Sequence, residues 1–306
     1  MANNNMPLSE FFGFLNLPNT IEFDGGRIVP TDSFQKGLDY INEFGNRDGY
    51  FYPKPIRAYT RTLESEKYEY VPNSERPATV FYLPESHTLY IENPLSEENV
   101  RYEDAGLLIH LLGYFFGTRL QFSDWRFDGK VPIKCKNYFS FSADIPSIFI
   151  SHVYQKWKTL DAKLRIFYIN ILYMHGKAKS CEWHWDEFLY QYMVFDAIYN
   201  FATEGKKIKG VTHEGRFKYL CDKFVIHYDN EDQLKEIYML RNDLFHEGLW
   251  DGGMPGLSQK NRINSYRNLK QLDRLNSRLI VEISGYKNIL KPPSYWCLGL
   301  DPFDPR

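Results

Sequence analysis

The chain is predicted to be an α+β protein, a mixed strand-rich half followed by an all-α antiparallel helical bundle. Three observations carry that expectation. The apolar pattern changes near residue 150, from short alternating runs to a sustained 3.6-residue period. Two Asp-Gly pairs, Asp24-Gly25 and Asp128-Gly129, sit between short runs of β-branched and aromatic residues, a hairpin signal. The periodic segments of the second half are joined by short polar stretches, which makes neighbouring helices antiparallel. At 306 residues there is room for two domains of ordinary size. They are expected at 1–150 and 151–306.

In the first half, Thr79–Leu83 and His87–Ile91 flank Pro84-Glu85-Ser86 as a further expected hairpin, and Tyr102–Phe116 reads as a helix. No catalytic constellation stands out there. In the second half Leu160, Leu164, Phe167, Tyr168, Ile171 and Leu172 make one helix face. A second helix runs from about Asp186 to Ala202, with Phe188, Tyr192, Phe195 and Tyr199 on one side. A third carries Phe217, Leu220, Phe224 and Val225, and a long fifth spans about Ser258 to Ser284. After Tyr286 the prolines at 292, 293, 302 and 305 suggest an extended tail.

Composition narrows the class of protein. The 23 Tyr, 23 Phe and 6 Trp speak for well-filled cores rather than a stacking surface. Residues 1–150 carry 14 basic and 20 acidic side chains, a net −6, whereas residues 151–306 carry 23 and 19, a net +4. The asymmetry permits polyanion binding by the second half without demanding it. Cys135, Cys181, Cys221 and Cys297 form no C-x-x-C pair and read as free thiols of a reducing cytosol. The first residues lack a signal-peptide pattern, and the greasiest run, Gly106–Gly117, is too short for a bilayer. A cytoplasmic protein without membrane contact is expected.

The fourth helix of the bundle holds the most informative stretch, Arg241-Asn242-Asp243-Leu244-Phe245-His246-Glu247-Gly248. Leu234, Ile237, Tyr238, Arg241, Leu244 and Phe245 follow the spacing of one buried helix face. An arginine on that stripe must reach a partner, a phosphate or the protein boundary, because an unpaired buried charge is costly. His246 falls where the stripe meets the edge, and Gly248 suits the left-handed residue that ends many helices. Residues five apart on an α-helix differ by about 140° in direction, so one copy is expected to present Arg241 and His246 divergently.

With these residues the second half resembles the HEPN superfamily, and within it the ApeA-like HEPN domains, over about residues 155–285. The signature there is an arginine, commonly followed by asparagine, with four to six residues between it and a histidine near the end of a bundle helix. Arg241-Asn242 and His246 match it, and Tyr190–Tyr199 looks like an earlier helix of that family. The resemblance implies a metal-independent endoribonuclease without a cofactor, active as a homodimer through Arg241 and His246 of both copies. It further implies a toxin-like or antiviral-defence role, with the first half sensing a trigger or restraining the nuclease. The chemistry is self-consistent. RNA brings its own 2′-hydroxyl nucleophile, an imidazole moves the proton, and a guanidinium holds the phosphate. A 2′,3′-cyclic phosphate and a 5′-hydroxyl are the expected ends. Asn242 is expected to orient its neighbours. Asp196 either orients Arg241 or His246 or is a surface carboxylate.

Alternatives stand beside this reading. Arg241 could pair with Asp196 or Glu236, and His246 could cap its helix, which leaves a non-catalytic module for RNA binding or protein dimerisation. A nucleotide- or metal-using enzyme in the first half is a third. Lys206, Lys207 and Lys209 form a basic loop, either for an RNA backbone or merely solvated. Asp251–Gly256 either covers the cleft or joins two helices. Cys181 and His184 lack a second ligand pair for zinc, and His175, His213 and His227 read as surface or capping residues.

Overall fold

The structure, a computed structural model, describes residues 8–44, 49–52, 57–61, 66–70, 81–96, 98–133, 144–226, 231–250, 252–255 and 263–286. Its order is β1 (Leu8–Gly13), β2 (Ile21–Phe23), β3 (Gly26–Pro30), α1 (Phe34–Phe44), β4 (Tyr50–Phe51), β5 (Arg57–Arg61), β6 (Glu66–Tyr70) and β7 (His87–Ile91). There follow α2 (Asp104–Phe115), β8 (Gln121–Phe122), β9 (Val131–Pro132), α3 (Ile145–Lys158), α4 (Ala162–Ala178), α5 (His184–Ala202), α6 (Gly215–Phe224), α7 (Glu231–Asn242) and α8 (Ile263–Ser284). A π turn over Asp243–Glu247 continues α7. The α+β class is thus observed.

Five strands form an antiparallel sheet in the order β2-β3-β7-β1-β8. The Asp24-Gly25 turn is a true two-residue hairpin, with Phe23 opposite Gly26 and Gly25 at φ +102°. The two other expected hairpins do not form. Gly129 does turn the chain with φ +75°, yet β8 pairs with β1 and β9 with β4. Phe81 bridges to Phe127, while β7 lies between β1 and β3, so 81–83 and 87–91 are not partners. Turn chemistry bends the chain locally, but the apolar faces choose the strand partners.

Helix α2 explains why the sheet and the bundle do not separate. Every one of its residues except His110 is buried, as expected of a helix that is apolar all round. It packs against β7 as well as α3 and α4. One apolar core runs from Phe12, Ile28 and Leu89 through Leu108 and Phe115 to Phe195, Leu275 and Ile280. The division expected at residue 150 falls inside α3, a helix that the apolar period does not announce. A smaller core of Phe14, Phe34, Ile41, Phe51, Leu83 and Phe127 lies under α1.

In the bundle α5 lies between α4 and α8, and α6 packs on α5, α7 and α8. The α5–α6 contact is locked by Phe195 and Phe217, stacked at 3.9 Å between centroids. Val225 was expected on the core face of the third helix. It instead ends that helix in the left-handed region at φ +54° and is exposed. The tail after Tyr286, His227, Cys135, Cys297 and the stretch before Ile263 lie outside the described residues. Cys181 and Cys221 are buried free thiols, both pushed up to about 12, chiefly by burial. Among the described residues no helix is long and apolar enough to cross a membrane.

His175 overturns its expected surface position. It is 1% exposed, in a polar network at the centre of the bundle. Its Nε2 lies 3.4 Å from Asp273 Oδ1 and 3.3 Å from Ser277 Oγ. Gln191 Nε2 donates to the same Asp273 oxygen at 2.8 Å, and Asn276 Nδ2 donates to the Gln191 side-chain oxygen at 2.8 Å. Burial lowers the His175 pKa against the raising effect of Asp273. His87, also buried, is lowered to about 4 by burial, although its Nε2 donates to the Leu17 carbonyl at 2.9 Å. Both imidazoles hold fewer protons folded than unfolded below an unfolded pKa of about 6.5. Stability is therefore expected to fall as pH drops below about 6.5, by up to about 1.4 kcal/mol per pH unit per histidine. Urea unfolding at a series of pH values checks it, and a stability unchanged down to the His87 pKa would refute it.

Candidate functional site

Arg241 and His246 meet. Arg241 Nη1 lies 2.9 Å from His246 Nε2, and it also donates to Asn242 Oδ1 at 3.0 Å. The divergence expected of residues five apart is corrected by the π turn over Asp243–Glu247. A π turn closes on the fifth residue, so positions i and i+5 return to one face, and such bulges frequently occur at functional sites. Gly248 supports the geometry. It adopts the left-handed conformation at φ +66°, and its N–H bonds back to the Asp243 carbonyl.

A guanidinium only donates hydrogen bonds, so His246 Nε2 is the acceptor in this contact. As a hydrogen bond, this contact requires the tautomer with Nε2 bare and the proton on Nδ1. His246 is exposed and Arg241 half-buried, so the pair stands at the protein boundary. Two rings flank the guanidinium: its Cζ is 4.7 Å from the Phe245 centroid and 5.6 Å from that of Tyr192. Phe245, expected in the core, is 46% exposed. The π turn rotates it out of the α-helical register that would have buried it.

Two buried polar atoms here have no hydrogen-bond partner among the described residues, Arg241 Nε and the Tyr192 hydroxyl. Such atoms cost free energy and point to a missing ligand or water. Burial chiefly raises the Tyr192 pKa, with Asp196 adding to it and Arg241 and Arg216 opposing. The phenol thus lies in the field of all three charges.

The expected partners of Arg241 are engaged elsewhere. Asp196 Oδ1 is 2.6 Å from Arg216 Nη1, and Glu236 Oε2 is 2.8 Å from Arg267 Nη2. Asp196 therefore holds a cation on α6 and does not orient Arg241 or His246 directly. His213, exposed before α6, is lowered by desolvation and by Arg216 and Arg241, with Asp196 opposing. The loop lysines are apart from this group. Lys206 pairs with Glu204 at 2.5 Å, and Lys207 and Lys209 are exposed in the turn after α5. Gly205 of that turn lies against Lys163 of α4. Within 251–256, the described Gly253 bridges to Trp250, whose ring packs on Phe188 at 5.5 Å.

Sequence reading missed the second cation. Tyr192 and Asp196 were legible as neighbours one helical turn apart, but nothing in the local pattern brings Arg216 to them. Among the described residues no group of three or more His, Cys, Asp or Glu is placed to hold a metal ion. Comparison with family models, curated proteins and solved structures finds no match.

Replacing Gly248 tests the turn. A Cβ there would meet nothing within 4 Å, so the cost of Gly248→Ala is the left-handed backbone alone, about 1–2 kcal/mol. Denaturant unfolding is expected to show that loss, and a stability equal to the parent protein would mean that the turn relaxes without penalty.

Proposed function

We propose that the chain is a metal-independent endoribonuclease of HEPN type, with Arg241 and His246 as its reacting pair. The observation that carries this reading is the contact of a half-buried arginine with an exposed imidazole at a π turn. A phosphodiester reaching the pair takes the guanidinium in place of His246, because a phosphate is the better acceptor. Nε2 is thereby released to accept the 2′-hydroxyl proton. The 2′-oxygen attacks phosphorus and the bond to the 5′-oxygen breaks, leaving a 2′,3′-cyclic phosphate. The departing 5′-oxygen takes its proton from a second imidazole that is in its protonated form, which a two-fold dimer supplies from the other copy. Asn242 restrains the guanidinium through its Oδ1. A toxin-like or defence role follows from the family resemblance only.

Cleavage of a mixed RNA pool in EDTA, with mass spectrometry of the ends and sedimentation of the protein, tests the reading. Cyclic-phosphate ends from a dimeric protein are expected. Phosphate-free 3′ ends or strict metal dependence would overturn it. A non-catalytic module is the second reading, favoured by the hydrogen bonds that tie Arg241 Nη1 to Asn242 and His246. It predicts RNA or partner binding that survives loss of His246, with no cleavage.

A further inference from the structure

Two cations, Arg241 at the end of α7 and Arg216 of α6, both contact side chains of α5. Arg241 lies over Tyr192. Arg216 is bound to Asp196, four residues further on, and its Cζ lies 4.8 Å from the centroid of Tyr199, three residues beyond that. Four to seven residues of helix correspond to about 6–10 Å. That separation is short enough for neighbouring phosphates of one strand to span. Arg216 uses only Nη1 toward Asp196, so Nε and Nη2 make no hydrogen bond among the described residues. A guanidinium with a free edge of this kind can grip a phosphate by two parallel bonds.

We infer that Arg216, positioned by Asp196, binds the phosphate next to the scissile one, so that the substrate is a single strand held at two successive phosphates. This rests on the ribonuclease reading of Arg241 and His246 and adds a binding residue to it. Asp196 holds one terminal nitrogen of the guanidinium and leaves Nε and Nη2 for a phosphate. The stacked Phe195 and Phe217 fix α6 to α5, and with it the offset between the two cations. The competing explanation is a structural tie between α5 and α6.

Salt dependence of binding separates the two. The probe is a short mixed-sequence RNA carrying 2′-O-methyl groups throughout, which cannot be cleaved because its nucleophile is blocked. For single strands the slope of log K against log salt shrinks by about 0.7 for each phosphate the protein no longer neutralises. Arg216→Gln and Arg241→Ala are each expected to reduce the slope by that amount. Arg216→Lys keeps the charge and the slope but binds more weakly, and Asp196→Asn, which still offers an oxygen to Arg216, keeps both slope and affinity. Should Arg216→Gln fail to fold beside an unpaired Asp196, the double variant with Asp196→Asn replaces it and must show the same slope loss. An unchanged slope in Arg216→Gln or the double variant, with Arg241→Ala still defective, overturns the inference and leaves the ribonuclease reading standing. Equal, salt-insensitive behaviour of the intact protein and Arg241→Ala overturns both.

Discussion

His246→Ala is expected to lower the rate of RNA cleavage by about 10²–10⁴-fold, the contribution of a positioned general base, while leaving the fold intact. The side chain is exposed, and it hydrogen-bonds to Arg241 at the protein boundary. Little packing therefore goes with it. His246→Gln is the informative companion. It keeps a side-chain acceptor for Arg241 and so preserves the phosphate grip, but it cannot take up the 2′-hydroxyl proton. Binding of uncleavable RNA should be retained in both variants, and single-turnover cleavage lost in both. Undiminished cleavage by either, in a preparation free of other nucleases, would exclude His246 as the base. Arg241→Ala should fail differently, losing affinity as well as rate, because the same guanidinium binds the ground state and stabilises the transition state.

Asp273→Ala is expected to be the most damaging of the polar substitutions for stability, at about 3–5 kcal/mol, the cost of breaking a buried ionic network by removing one member. Its carboxylate is buried and receives Gln191 Nε2 and His175 Nε2 on one oxygen. Burial works against its ionisation, but Lys179, His175 and Lys270 together hold its pKa well below the ordinary carboxylate value. The sign follows from that depression. The contribution of Asp273 is present above its unfolded pKa of about 3.9 and is lost only as pH falls through the lower folded value. The variant's deficit is thus complete at neutral pH, where denaturant unfolding would measure it. Nearby Glu187 behaves in the opposite sense: burial raises its pKa despite Lys270, whose Nζ lies 3.1 Å away. A loss below about 1 kcal/mol for Asp273→Ala, the ordinary worth of a single hydrogen bond, would mean that Gln191 and His175 find other partners.

The parts of the fold legible in the sequence are those governed by local rules. Helices α4 to α8 are close to their apolar periods because each has to bury one face. The Asp24-Gly25 hairpin formed because a two-residue turn sets its own register. Helix α3 escaped notice, and with it the shared core, because its boundaries straddle the apparent change of period. The expected pairings around Pro84-Glu85-Ser86 and Asp128-Gly129 failed for a different reason. A turn decides where the chain bends, whereas strand partners are decided by which apolar faces meet. His175 was misplaced on the surface because a lone histidine carries no sign of the Asp273, Gln191 and Ser277 side chains that enclose it.

The candidate site divides along the same line. Arg241, Asn242 and His246, their position at a helix end and the left-handed Gly248 follow from the order of residues alone, since all lie within eight consecutive positions. Their contact does not. An α-helical continuation would splay Arg241 and His246 apart, and only the π turn brings them together. Arg216 belongs wholly to the tertiary structure. It reaches Asp196 because Phe195 stacks on Phe217 and brings α6 onto α5, a long-range packing choice made by aromatic surfaces rather than by any spacing along the chain.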